Sequence, residues 1–323
     1  MIPIPERGTI LAPMRSLTQA PLWAILQEYG APDLVVSEFV RIHENFFIDE
    51  KWLEECLRAA GNILLCIQLM GHDIDALAKN IEILQKYPLA GIDFNVGCPM
   101  PKIYKKSVGG GLLRDLPTLK VLLKQLRACC SLPLSVKTRL GFADTHHFEE
   151  LLDVLNEANL DWITIHARTV KELYQGTPHY EYLKVAAQKI RCPVIANGNI
   201  DNLDTIKNLL KDSQCFGVMI GRAALSNPWI FQQWRAYTNN LPMPIVTYAD
   251  LFAYLKKIEE RFCLPQTHPI TALGCLKRFS KYLAESVNQQ WLHESNRTTT
   301  IKDFWMVAEK YLLKGEASQK RYL

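Results

Sequence analysis

The sequence predicts a (β/α)8 TIM barrel followed by a small C-terminal helical bundle, and three observations carry that expectation. Eight short, nearly continuous apolar runs recur within the first 221 of 323 residues. Segments of helical period lie between them. The alternation stops after Trp234, and only helical period remains beyond it. Runs with little polar alternation suit strands buried on both faces. Strict alternation with helices requires right-handed crossovers and a parallel sheet. Eight such units in about 240 residues close a barrel. An open doubly wound sheet is the alternative, and no GxGxxG follows the first run to support it.

The strands are expected at TILAPM (9–14), DLVVSEFV (33–40), ILLCIQLMG (63–71), GIDFNVG (91–97), LPLSVKTR (132–139), DWITIHA (161–167), CPVIANG (192–198) and FGVMIG (216–221). Between them, one helix stripe carries Leu77, Ile81 and Leu84, and another Leu119, Leu122, Leu123 and Leu126. Helix-start residues precede three of these segments: Asp73, Asp115 with Pro117, and Asp201 or Asn202. The proline-rich LPMP at 241–244 reads as a linker. It separates a barrel domain, 1–240, from a helical domain, 245–323. The tail holds three amphipathic helix candidates, YADLFAYLKKIEERF, ALGCLKRFSKYLAESV and TIKDFWMVAEKYLL.

Composition narrows the function classes. With 48% hydrophobic and 22% charged residues, the chain is neither disordered nor fibrous. No basic stretch leads into an apolar run, and no apolar run reaches the roughly 20 residues of a membrane span. The nine cysteines form no CxxC pair and no zinc-type spacing. A reducing, cytoplasmic setting with no metal and no membrane is expected. Net charge is +4, and it lies in the tail. Residues 245–323 hold 12 Lys and Arg against 8 Asp and Glu, while the first 244 hold 25 of each. A basic module of this kind suits a polyanionic partner or a solvated helical surface.

Barrel chemistry collects at the C-terminal ends of the strands. Those positions hold Pro13, Met14 and Arg15; Glu38 and Arg41; Gln68; Asn95 and Cys98; Lys137 and Arg139; His166 and Arg168; Asn197, Gly198 and Asn199; Gly221 and Arg222. The glycine turns after the seventh and eighth strands suit a phosphate, and the missing dinucleotide fingerprint points to a mononucleotide. A lysine facing the barrel interior calls for an anion or an electron-rich ring, and a cation beside a flavin's pyrimidine end stabilises the reduced anion. Gln68 can hydrogen-bond that ring or cap a loop. Gly97 and Pro99 force a turn that holds the Cys98 thiol at the mouth, where it can act as a general acid. The other cysteines read as core residues. PKIYKKSVGGGLLRD, which contains Lys102, reads as a mobile basic loop because glycines 109–111 break a helix.

DFNVGCPMPK (93–102), SVKTRLG (135–141), TIHART (164–169), PVIANGNI (193–200) and VMIGRAAL (218–225), in this order and spacing, resemble the tRNA-dihydrouridine synthase family. The resemblance covers the whole barrel. It implies an FMN-bound enzyme that reduces a uridine of tRNA with NADPH. Cys98 would be the proton donor. FMN contacts would fall on Pro13, Met14, Arg15, Gln68, Lys137, His166, Asn197, Gly198, Asn199, Gly221 and Arg222. Asn95, Arg139 and Tyr174 would face the uracil, and Lys102 and Arg168 would meet tRNA. SEFVRI (37–42) is similar to the bacterial C-type enzymes acting at position 16 of the D loop. Their tRNA-reading residues would match Arg41, Lys277, Tyr282 and Arg297. A monomer is expected. Rival readings are the same chemistry at position 17 or 20, a flavin barrel acting on a free pyrimidine (dihydroorotate dehydrogenase-like), and a non-catalytic RNA-binding protein. An aldolase would use Lys137 in a Schiff base.

Overall fold

A computed structural model describes residues 2–264, 266–284 and 287–314. The strands are β1 (Thr9–Leu11), β2 (Leu34–Val36), β3 (Val40–Arg41), β4 (Leu64–Met70), β5 (Gly91–Asn95), β6 (Leu134–Arg139), β7 (Trp162–His166), β8 (Val194–Asn197) and β9 (Gly217–Ile220). All pairings are parallel. The order β1, β2, β4, β5, β6, β7, β8, β9 closes through β1 beside β9. This is the expected eight-stranded barrel. The remaining strand, β3, pairs among the described residues with the last two residues of β4 alone and sits at the rim.

Period-two alternation sorts each strand into an interior and a helix-facing set. Ile10, Ala12, Leu34, Val36, Cys66, Trp162, Ile195 and Met219 form one apolar cluster inside the barrel. Leu65, Ile67, Phe94, Val136, Ile163 and Ile165 are also buried. They alternate with the interior residues and so face the helices. Toward the C-terminal ends of β4 to β8 the interior turns polar, through Gln68, Asp93, Asn95, Ser135, Lys137, Thr164, His166 and Asn197. The apolar half holds the barrel together, and the polar half is available for chemistry.

The helices are α1 (Ala20–Tyr29), α2 (Glu50–Ala60), α3 (Ile74–Leu84), α4 (Pro101–Tyr104), α5 (Leu116–Cys129), α6 (Phe148–Glu157), α7 (Glu181–Lys189) and α8 (Leu203–Ser213). They continue with α9 (Ala223–Ser226), α10 (Ile230–Thr238), α11 (Tyr248–Phe262), α12 (Pro269–Leu283), α13 (Gln289–Arg297) and α14 (Ile301–Leu312). Asp73, Asp115 and Asn202 cap α3, α5 and α8 by accepting from the backbone N–H three residues on. No helix among the described residues is long and apolar enough to cross a membrane.

Two compact units emerge: residues 1–18 with 32–220, and residues 19–31 with 221–323. The division therefore falls at the end of β9, ahead of the proline-rich 241–244, and α1 belongs to the second unit. Leu22, Trp23, Ile25 and Leu26 of α1 are all buried. Within that unit Lys257 pairs with Glu28. The Tyr29 ring lies edge-on to Trp229 and Tyr254, at 4.8 and 5.7 Å. Gly30 ends α1 at φ +98, where an added Cβ would lie 2.4 Å from Gln232 Cβ. Among the described residues, four helices, not three, follow residue 245. The additional one, α13, buries only Trp291 and Ser295, so its apolar stripe was too short to detect. Glu285 and Ser286, within the expected second tail helix, lie outside the described residues, as do 315–323.

Candidate active site

The turn after β5 is built by Asn95. Its Oδ1 accepts from the backbone N–H of Gly97 at 3.2 Å and of Cys98 at 3.0 Å. The Cys98 carbonyl in turn accepts from Gly110 N–H at 3.1 Å. The segment after the turn differs from the expected mobile loop. Residues 101–104 form α4, and Gly109–Arg114 form a 3-10 helix with all three glycines buried. These glycines are there for close approach. A Cβ at Gly109, which sits at φ +56, would lie 2.9 Å from Cys98 Cβ, and one at Gly111 2.4 Å from the Tyr104 carbonyl. Cys98 also packs with Met70, Ile103 and Val108.

Cys98 is 8% exposed. Burial pushes its thiol pKa above the ordinary value, partly offset by the Met100 N–H and by the cations Arg139, Lys137 and Arg15. It is therefore a thiol, not a thiolate, at neutral pH: an acid rather than a nucleophile. Alkylation of Cys98, followed peptide by peptide against pH, should show a midpoint above that of an unperturbed thiol. A midpoint below it would contradict the acid role.

Lys137 donates to Asn197 Oδ1 at 3.0 Å, and Asn197 Nδ2 donates to the Met219 carbonyl at 2.7 Å. Burial first and Arg139 second pull the Lys137 pKa down to about 8. His166 lies 3.3 Å from Arg168 Nη1, and Arg168 also reaches Asn199 Oδ1 at 3.2 Å. Gly198, at φ +123, sits against the His166 ring, where a Cβ would come to 3.1 Å.

Two buried arginines hold the loop that carries Tyr174. Arg139 Nη1 donates to the carbonyls of Thr169 at 2.7 Å and Leu173 at 2.6 Å. Arg168 donates to those of Gln175 at 2.9 Å and Gly176 at 2.5 Å. Tyr174 stands 63% exposed at the mouth, with the Arg139 guanidinium 5.3 Å from its ring centre. Arg168 is only 1% exposed. A surface contact with tRNA does not suit it, because its donors are engaged inside the protein.

The barrel unit thus brings together Arg15, Gln68, Asn95, Cys98, Lys137, Arg139, His166, Arg168, Tyr174, Asn197, Gly198 and Asn199. Pro13 and Met14 are half-buried just after β1, Arg41 ends β3 at the rim, and Lys102 is exposed on α4. Gly221 and Arg222 follow β9 directly and belong to the second unit, with Lys277, Tyr282 and Arg297. Lys277 Nζ donates to the carbonyls of Asn296 and Thr298, closing the end of α13. Arg297 is exposed beside His293. One residue of the site escaped sequence reading. Asp93 is fully buried two residues before Asn95, bonded to Gln68 and Ser135. Polar residues at every second position of β5, DFN, are the signal that points to it.

The profile of the dihydrouridine synthase family matches residues 10–307. A probable tRNA-dihydrouridine synthase of Helicobacter pylori is 34% identical over 76% of this chain and 75% of its own. A tRNA-dihydrouridine(16) synthase of Neisseria meningitidis is 31% identical over 91% of this chain and 90% of its own. Among solved structures, the old yellow enzyme homologue from Zymomonas mobilis superposes with TM-score 0.53 at 12% identity, covering 74% of this chain and 90% of that one. Histamine dehydrogenase from a Rhizobium species gives 0.56 at 10% identity, covering 77% of this chain; the match spans about half, 49%, of that longer chain. At these identities the two structures speak to the barrel alone.

Proposed function

This chain belongs to the dihydrouridine synthase family, a family of oxidoreductases, and we propose that it uses FMN and NADPH to reduce the C5=C6 bond of a D-loop uridine in tRNA, at position 16. The observation that carries this reading is the Cys98 thiol, kept protonated on a turn that Asn95 holds, beside Lys137 and Arg139. The donor set fits a flavin. Lys137 is a cation inside the barrel whose hydrogen-bond partner is the neutral amide of Asn197, and Gly198 leaves room that a Cβ would fill. Within the barrel unit, Lys137, His166, Asn197, Gly198 and Asn199 would hold it with Pro13 and Met14. Gln68 has both amide atoms engaged within the protein, so a flavin would meet only its remaining donor or lone pair. The relative named for position 16, similar over nine-tenths of the chain, supports that target.

When bound, FMN reduced by NADPH would supply a hydride to C6 of the uracil. Cys98 gives its Sγ proton to C5, where the electron pair of the uracil enolate forms the new C–H bond, and water reprotonates the sulfur. Arg139 has Nε and Nη2 left to meet a uracil carbonyl and the charge that develops on it. Its Nη1 holds the loop that sets Tyr174 at the mouth. A uridine of folded tRNA must leave its stack to enter.

Incubation with unmodified tRNA and NADPH, followed by position-resolved detection of dihydrouridine, tests the reading. Product at position 16 supports it, and product at 17 or 20 moves the target while leaving the chemistry. Turnover of a free pyrimidine, or a colourless protein without NADPH oxidation, overturns it. Arg41, Lys102, Lys277, Tyr282 and Arg297 are proposed to meet the tRNA. With about three phosphate contacts, affinity should fall about 10- to 50-fold between 50 and 200 mM salt. Salt-independent binding in a filter or anisotropy assay would contradict this electrostatic grip.

A further inference from the structure

A line of hydrogen bonds runs from the barrel core to the Cys98 turn. Asp93 Oδ1 accepts from Ser135 Oγ at 2.6 Å, and Asp93 Oδ2 accepts from Gln68 Nε2 at 2.6 Å. Gln68 Oε1 accepts from Asn95 Nδ2 at 2.8 Å. Asn95 Oδ1 accepts from the N–H groups of Gly97 and Cys98. Asp93, Gln68 and Ser135 are wholly buried, so water does not substitute for any of these partners. The two ends of the line demand one polarity. Backbone N–H groups only donate, and an ionised carboxylate only accepts. The two amides between them satisfy both ends in one orientation: oxygen toward the turn, nitrogen toward the core.

We propose that Asp93 is a positioning residue, which fixes the amide of Gln68, through it the amide of Asn95, and so the turn that presents the Cys98 thiol. Without Asp93 the Gln68 Nε2–H groups lose their buried acceptor. That loss is enough to make the side chain rotate or flip. A flipped Gln68 faces Asn95 nitrogen to nitrogen. Asn95 must then turn its own nitrogen toward two N–H groups or give up its place, and the turn loosens in either case. Asp93 also lies near Lys137 and balances its charge, a separate role that the test has to distinguish. The value of this placement for catalysis rests on the reading of Cys98 as the proton donor; the placement itself does not.

Three variants separate the possibilities, with two readouts in each: the alkylation rate of Cys98 measured by peptide mass spectrometry, and dihydrouridine formation. Asp93→Ala removes the anchor. Gln68→Met breaks the line in the middle and leaves the Asp93 charge beside Lys137. The double variant Asp93→Asn with Gln68→Glu moves the carboxylate one residue along. The introduced amide then donates to the introduced carboxylate and accepts from Ser135, and that carboxylate still accepts from Asn95. Asp93→Asn alone is a weak probe, because the Ser135 hydroxyl can reverse and restore the line. Asp93→Ala and Gln68→Met should each raise Cys98 alkylation about tenfold and lower kcat by about as much, with KM for tRNA unchanged. The double variant should return the alkylation rate to within about threefold of wild type, and it is judged on that rate because Gln68 also faces the proposed flavin. Wild-type alkylation in Gln68→Met would leave charge balance as the only role of Asp93 and overturn the proposal. A double variant as loose as Asp93→Ala would overturn it too. If Asp93→Ala does not fold, the other two variants decide. A wild-type protein that forms no dihydrouridine overturns the functional reading, while the alkylation rates still judge the placement.

Discussion

Cys98→Ala should retain bound flavin and lose dihydrouridine formation by about 10²–10⁴-fold, the range that a positioned general acid contributes. The substitution removes only the sulfur. The Cβ against Gly109 stays, and so do the Asn95 bonds to the turn, because they are made to the backbone. Its cost to folding should be about 1 kcal/mol or less. The loss should lie in the step that consumes tRNA. NADPH should still reduce the flavin at the wild-type rate, since nothing that contacts the nucleotide has changed. Single-turnover measurement of the two half-reactions checks this. Product within threefold of wild type would mean that another group delivers the proton. Cys98→Ser should fall between the two, because a hydroxyl is a far weaker acid than a thiol.

Arg139→Met should release the Tyr174 loop and cut product formation by about 100-fold. Methionine keeps most of the apolar stem but none of the donors. The buried Thr169 carbonyl then loses a bond to a charged group worth about 1.5–3 kcal/mol, and the more exposed Leu173 carbonyl loses a second, worth less. Leu173 adds to the effect. It is held at φ +55, a left-handed conformation that a leucine leaves when freed. Arg168 still holds Gln175 and Gly176, so the loosening should concentrate in residues 169–174. Hydrogen exchange at the Leu173 amide, bonded to the Val170 carbonyl, should speed up by about 100-fold or more. Exchange at wild-type rates throughout the loop would show that Arg139 does not organise it.

Much of the site was legible because barrel topology converts order along the chain into place around a ring. Once eight strands are recognised, their last residues must converge, whatever the helices between them do. Lys137, His166, Asn197 and Cys98 follow from that geometry. The 3-10 helix at 109–114 was not legible, because three consecutive glycines signal freedom in a sequence. Their actual use is to let the backbone approach Cys98 and Tyr104, a long-range contact that no local pattern announces. Helix α1 misled for a similar reason. Its place between the first two strands assigns it to the barrel by connectivity, but it belongs to the helical unit, where Tyr29 packs on Trp229 and Tyr254.

By itself the sequence determined the barrel, its closing order, the helix starts at Asp73 and Asp115, a third at Asp201 or Asn202, and the cysteine that ends the fourth expected strand. All of these depend on residue type and spacing along a single element. Only the tertiary structure decided the state of that cysteine and the work of its neighbours. Burial sets the thiol's proton affinity, and the directions of Arg139, Arg168 and Asp93 are chosen by partners 7 to 42 residues away. The physical reason is that desolvation and hydrogen-bond direction are properties of the enclosed space, and a chain acquires that space only when its distant parts meet.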